Sequence, residues 1–271
     1  MGRWTLDDIP WASFNPTLVD PDLVRVVKAA SVVERNGADY AQYLCGVFAD
    51  DPAFQDAARH WGAEETQHGR ALGRWAALAD PSFDHEAACA RFTAGFRVAV
   101  DATKSVRGSR SGELIARCVV ETGTSAYYTA LGEASREPVL QGICRSIAAD
   151  EIRHYKLFHV HLERYLAIEP LGFLARLRIA LGRIRETDDD ELAYAYHAAN
   201  DPTEPYDRRR AARDYQRYTL ALYRRSHVRR GIALLFKTVG LKRTGRLSRI
   251  AAELAWWGVR RRAGRLQKPA T

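Results

Sequence analysis

The chain of 271 residues has little of what marks several common protein classes. It has no C-x-x-C pair. Cys45, Cys89, Cys118 and Cys144 stand singly, which excludes a zinc ribbon or a rubredoxin-type centre. No alternating β-branched segments compete with helix for the apolar positions. Long hydrophobic runs are missing too: Gly231-Ile-Ala-Leu-Leu-Phe236 stops at Lys237, far short of the roughly 20 residues that cross a bilayer. The opening residues, Met1 to Asp8, contain no apolar stretch, so no secretory signal is expected. Cys45, Cys118 and Cys144 fall on apolar helix faces, which suits reduced core cysteines in a cytoplasmic protein.

What is present favours helix: 46% of residues are hydrophobic, in runs rich in Ala, Leu, Arg and Glu. Charge is unevenly placed. Residues 205–271 hold 19 Lys and Arg against 3 Asp and Glu, whereas the first 204 hold 22 against 30. A neutral-to-acidic body with a basic tail follows.

Three segments are expected: a leader over 1–19, a helical body over 20–170, and a basic helical extension over 171–271. Asp20-Pro21 opens the first helix, Asp as cap and Pro at the first helical position, and the helix is expected to reach Phe48. Its inward face reads Val27, Ala30, Ser31, Glu34, Ala38, Ala41 and Cys45. Asp51-Pro52 repeats the device for a helix to Ala79 with Phe54, Ala58, Trp61, Glu65, His68, Leu72 and Ala76 on one face. Residues 80–110 must return the chain along the body, with a helix expected over 85–103. A third long helix carries Leu114, Cys118, Glu121, Ser125 and Tyr128. The fourth, from Pro138 to near Pro170, carries Cys144, Ile147, Glu151, His154, Phe158 and Leu162.

Two of these helices contain Glu-x-x-His: Glu65-Thr-Gln-His68 and Glu151-Ile-Arg-His154. At this spacing carboxylate and imidazole stand one turn apart on one face. Each motif follows a lone Glu in the preceding long helix, Glu34 before Glu65 and Glu121 before Glu151. Glu34, Glu65 and Glu151 each lie 13 residues beyond a helix-opening proline, Pro21, Pro52 and Pro138. At ~1.5 Å per residue that is about 20 Å, mid-helix, so antiparallel neighbours bring the carboxylates to one level. Unpaired carboxylates are costly there, and two divalent cations would balance them. Surface pairs or buried ion pairs with arginine are the plainer alternative, but Arg117 and Arg153 fall off the shared faces. Four carboxylates and two imidazoles from four helices make the ligand set of a ferritin-like dinuclear site: Glu34, Glu65, His68, Glu121, Glu151 and His154.

On these motifs, residues 20–168 resemble the ferritin-like di-iron carboxylate superfamily. Locally, Trp61-Gly-Ala-Glu-Glu-Thr-Gln-His-Gly-Arg70 and Ile147-Ala-Ala-Asp-Glu-Ile-Arg-His154 are similar to the second- and fourth-helix motifs of acyl-ACP desaturases. Aldehyde-deformylating oxygenases, rubrerythrins and quinone hydroxylases share the ligand pattern. The resemblance implies an all-α, ferritin-like four-helix bundle with one long crossover, holding two Fe ions, with Mn as the alternative metal. It implies that Glu34 and Glu151 sit nearest one or other metal, with Glu65 and Glu121 bridging or terminal. It places Thr124 of Glu121-Thr-Gly-Thr124 beside the oxygen-binding face, and makes Asp150 the carboxylate that orients His68. The implied activity is an oxygen-dependent oxidoreductase of desaturase or hydroxylase type. Its substrate would be lipid-like or held on an acyl carrier, and its electrons would come from an external donor such as ferredoxin. A homodimer is also implied. Ala30, Ala38 and Ala41 either leave room for an acyl chain or simply allow close helix packing. Tyr127, Tyr128 and Tyr155 lie near the site, as packing residues or as electron carriers.

Two acidic or proline-rich breaks, Asp188–Glu191 and Asp201–Pro205, precede the basic extension. There Arg pairs alternate with Leu, Ile and the Trp256-Trp257 pair. That pattern fits a helix on an anionic membrane surface, a dock for an acidic carrier or ferredoxin, or packing on the body with a solvated basic face. No nucleic-acid motif is present, and no such partner is expected. The residues also leave open an iron-binding or peroxide-scavenging protein of rubrerythrin or ferritin type, and a non-catalytic scaffold that works through its tail.

Overall fold

A computed structural model describes residues 4–186 and 190–267. The leader makes three short 3-10 turns, Leu6–Asp8, Trp11–Ser13 and Pro16–Leu18. The body follows as α1 (Pro21–Arg35), α2 (Gly37–Val47), α3 (Pro52–Ala79), α4 (His85–Gly95), α5 (Arg110–Ala134) and α6 (Pro138–Ile168). The extension consists of α7 (Phe173–Glu186), α8 (Asp190–Asn200), α9 (Arg208–Leu222), α10 (Arg225–Thr238) and α11 (Arg246–Leu266). Among the described residues there is no strand.

The helix openings follow from their caps. Asp20, Asp51, Ser109 and Glu137 each accept a hydrogen bond from a first-turn amide, and Pro21, Pro52 and Pro138 occupy the first helical position.

Two expectations are corrected. The single helix expected over 20–48 is two helices, broken at Asn36 (φ −85°, ψ 8°) just after Glu34. Asn and Gly are weak helix formers, and here the break lets the chain close onto α3. A Cβ on Gly37 would lie only 2.4 Å from the Cβ of Glu65. The crossover helix expected to 103 ends at Gly95, where β-branched Val98 and Val100 follow in irregular chain. Of the first expected break, Asp188 and Asp189 lie outside the described residues, and Asp190 opens α8. The second falls between α8 and α9.

The core is split into two apolar halves. One gathers Val27 and Ala30 of α1, Leu72 and Trp75 of α3, Tyr128 and Leu131 of α5, and Leu140 and Ile147 of α6. The other gathers Leu44 of α2, Phe54 and Trp61 of α3, Leu114 and Cys118 of α5, and Phe158 and Leu162 of α6. The order in which each helix visits the halves gives its direction. The α1–α2 pair and α6 run from the first half to the second, while α3 and α5 run the other way. Thus α3 and α5 are parallel, and the crossover with α4 joins them; α1–α2 with α3, and α5 with α6, are hairpins. This is the ferritin-like topology. Between the halves lies one polar layer, in which all six candidate ligands sit.

The extension is partly absorbed into the body. On α10, buried His227 accepts from the Arg224 amide at Nδ1 and reaches Glu133 of α5 at 3.2 Å through Nε2. Tyr155 of α6 donates to the Leu234 carbonyl at 3.1 Å. By contrast, α11 leaves Leu247, Ile250, Leu254 and Trp257 exposed, at 57–71%. Among the described residues, no helix is long and apolar enough to cross a membrane.

Glu137 joins three elements. It is fully buried, caps α6 through the Leu140 amide, accepts from Trp75 Nε1 of α3 at 2.7 Å, and accepts from the Asn15 amide of the leader. Glu137→Ala removes a cap and strands a buried indole donor, so urea unfolding should register a loss of roughly 2–4 kcal/mol. Glu137→Gln retains an acceptor and should lose clearly less; equal losses would contradict the assignment.

Candidate metal centre

Five of the six residues of the polar layer come from mid-helix positions, and Glu34 from a helix end. Glu34 comes from the end of α1, Glu65 and His68 from α3, Glu121 from α5, and Glu151 and His154 from α6. All six are buried. They form two groups, Glu34, Glu65, His68 and Glu151, and Glu65, Glu121, Glu151 and His154. Within each, one ligand atom per residue lies within 4.8 Å of the others. The two groups share Glu65 and Glu151. Glu34 and His68 belong to the first group only, and Glu121 and His154 to the second only.

Both imidazoles are oriented alike. Nδ1 of His68 faces Glu34, Glu65 and Glu151 at 3.5–3.8 Å, and Nδ1 of His154 faces Glu65, Glu121 and Glu151 at 2.9–3.7 Å. Each Nε2 turns outward to a carboxylate: His68 to Asp150 at 3.1 Å, His154 to Glu64 at 2.8 Å. That contact fixes the ring and the tautomer that presents Nδ1 inward. Arg153 ties the two outer carboxylates together, at 2.5 Å from Asp150 and 3.4 Å from Glu64.

Electrostatics demand a counter-charge. Burial, reinforced by Glu65 next door, pushes the Glu34 carboxyl well above the ordinary carboxylate range. Burial does the same to Glu121, with His154 opposing and Glu151 reinforcing. Burial acts on Glu65 as well but is outweighed by the neighbouring Glu34, His154 and His68, which hold it well below that range. Burial opposes charge on both imidazoles, yet the surrounding carboxylates raise them well above the usual histidine range. Without a cation, protons must take up the charge of this layer.

A cation pair fits the donor set. Both Nδ1 atoms, both Glu121 oxygens, Glu65 Oε1 and Glu151 Oε1 are buried without a hydrogen-bond partner, and they converge on the same space. Four ionised carboxylates with two neutral imidazoles carry four negative charges, which two divalent ions cancel. Oxygen and imidazole donors without thiolate suit iron or manganese.

Residues 40–184, more than half of the chain, match the family model described as fatty acid desaturase. The chain belongs to the fatty acid desaturase family. No curated protein matches it. The family match and the buried acid–histidine layer together make this an oxidoreductase family member with a site able to hold metal.

The other expected residues of this desaturase-family chain fall as follows. Thr124 Oγ1 lies 2.8 Å from Glu151 Oε2. Tyr128 donates to Glu34 Oε1, whereas Tyr155 is committed to α10 and Tyr127 to the Val26 carbonyl. Of the small stripe, Ala30 and Ala41 are buried in opposite halves of the core and Ala38 is exposed. They form no continuous lining, and close packing explains the two that are buried. The four cysteines are free, with Cys118 and Cys144 buried and Cys45 and Cys89 partly so.

Two residues were missed. Glu64 is one; its signal was the doubled acid in both motifs, Glu64-Glu65 and Asp150-Glu151, where the first acid of each serves the histidine of the other. Trp4 is the second. Its indole donates to Asp150 Oδ2 at 2.8 Å and stacks on His68 with centroids 5.9 Å apart and planes 5° off parallel. Nothing in the sequence spacing ties residue 4 to this site.

Because the outer carboxylates orient the imidazoles, Glu64→Gln or Asp150→Asn should weaken metal binding about 10–100-fold. Fe(II) or Mn(II) titration against a competing chelator measures this. Affinity unchanged in both variants would refute the role.

Proposed function

We propose that the protein is an oxygen-dependent di-iron oxidoreductase of desaturase or hydroxylase type, acting on an acyl or other lipid-like substrate. The observation that carries this reading is the pair of ligand groups sharing Glu65 and Glu151, within a chain of the fatty acid desaturase family. Iron held there would supply, together with oxygen, the oxidising power needed for an unactivated C–H bond.

The chain's own residues have four tasks. Glu34, Glu65, Glu121, Glu151, His68 and His154 hold the metals, and Asp150, Glu64 and Arg153 keep the imidazoles aimed. The two apolar halves of the core exclude water on either side of the layer. Thr124 is half-buried and its hydroxyl touches a shared carboxylate, so it is placed to pass a proton between Glu151 and the outside.

Electrons must also enter. For a desaturation, one oxygen molecule, two electrons and two protons convert a –CH2–CH2– unit to –CH=CH– with two waters released. The electron pair must come from an external donor of ferredoxin class. Trp4, half-buried, contacting both His68 and Asp150, is placed to pass electrons inward. The basic extension favours acidic carrier and donor proteins by electrostatic steering.

The test is anaerobic reconstitution with Fe(II), followed by oxygen, a reduced ferredoxin and acyl-carrier substrates of several chain lengths. Expected are two irons per chain, one for each ligand group, both depleted in Glu151→Ala, and oxygen uptake coupled to unsaturated or hydroxylated product. Full iron loading without product at any chain length would overturn the reading.

A further inference from the structure

We propose that the cleft between α10 and α11 is a binding site for a phosphate group, separate from the metal centre and independent of its chemistry. The two helices face one another with matching periodicity. Ser226, Arg229, Arg230 and Ala233 of α10 oppose Gly245, Ser248, Arg249 and Ala252 at the start of α11, and Arg243 and Thr244 close one end. Each set has the i, i+3, i+4, i+7 spacing of a single helix face. Of this lining Ser248 and Ala252 are buried while all four arginines are exposed, around a cavity of about 560 Å³.

The chemistry of the lining selects an anion. Four arginines, Arg229, Arg230, Arg243 and Arg249, line the cleft with no acidic residue among the lining side chains; Arg249 Nε donates to the Gly245 carbonyl at 3.4 Å, which leaves its two terminal nitrogens for a ligand. The nearest acid on α11, Glu253, is occupied by Arg225 at 2.7 Å, an ion pair that ties the two helices together. Like charges gathered without a counter-ion repel one another, and a bound anion removes that repulsion.

Two features narrow the anion to phosphate. The first turn of α11 opens on the cleft at Gly245 (φ +147°), with no side-chain cap and no acidic residue, so its amides are free to donate. Ser248 is 7% exposed, lines the cavity, and its hydroxyl makes no hydrogen bond to the protein. Helix-end amides, a hydroxyl donor on a largely buried serine and forked guanidinium groups suit a tetrahedral oxyanion with several acceptor oxygens. A phosphoester of a carrier's prosthetic arm and a lipid headgroup share this chemistry.

The probe is inorganic pyrophosphate, titrated calorimetrically into the full-length protein at moderate salt. Expected is saturable binding at one site, weakened at least about tenfold in Arg230→Gln/Arg249→Gln. Arg260→Gln/Arg261→Gln, which removes the same charge elsewhere on α11, should bind as the parent does. Glu151→Ala should also bind normally, which separates the cleft from any phosphate taken up by metal. Absence of saturable binding, or equal loss in the two arginine pairs, would overturn the proposal. Displacement of pyrophosphate by 4′-phosphopantetheine supports the site with a carrier arm as source. Displacement by phosphatidylglycerol vesicles supports it with a headgroup as source.

Discussion

The structure depends on the placement of four carboxylates in the middle of an apolar bundle. A buried unpaired carboxylate is among the most unfavourable groups a protein can carry. Here Glu34, Glu65, Glu121 and Glu151 are collected into one layer. The cost is met by concentration: charge gathered at one point can be cancelled by two cations, whereas the same charge spread along the core could not. The apolar halves above and below lower the local dielectric and strengthen the cancellation. An outer ring then holds the layer in shape. Asp150 takes hydrogen bonds from His68, Trp4 and Arg153, and Glu64 contacts His154 and Arg153.

The same demand explains the broken first helix of the bundle. In the broken arrangement residue 37 stands so close to α3 that a Cβ there would meet the stem of Glu65 at 2.4 Å, so only glycine fits. With glycine there and a break at Asn36, α2 approaches α3 closely where the shared carboxylate stands. The break therefore lies within three residues of Glu34 because that is where the two helices must come nearest.

How much of this was legible follows from which interactions are local. Glu-x-x-His at one-turn spacing, and a constant 13 residues from opening proline to carboxylate, are properties of single helices, so the ligand candidates and their common level could be read directly. Which carboxylates are shared depends on how four helices are arranged around the layer. That is why the common membership of Glu65 and Glu151 in both ligand groups is read from the fold and not from the spacing. The break at Asn36 was hidden for the same reason, since the close contact beside it joins Gly37 to Glu65, 28 residues further on. Trp4 joins the site by a hydrogen bond across 146 residues and by stacking on His68, and no periodicity announces such contacts. Glu64 was different: the doubled acid was visible, and the crossed pairing of the two motifs could have been inferred from it.

The extension follows another logic. The family match ends at residue 184, inside α7, so the strongly basic helices lie beyond the conserved pattern of the family model. Only part of their surface serves packing: His227 and Leu234 of α10 contribute to the body, while α11 buries Ser248 and Ala252. The arginines of the α10–α11 cleft are exposed, and like charges gathered in this way repel one another. Stability alone would favour acids interspersed among them, as Glu253 already pairs with Arg225 next to the cleft. A protein that packs small residues beneath a rim of unbalanced guanidinium groups has kept space and positive charge together, and that combination is most readily understood as a site that an anion completes.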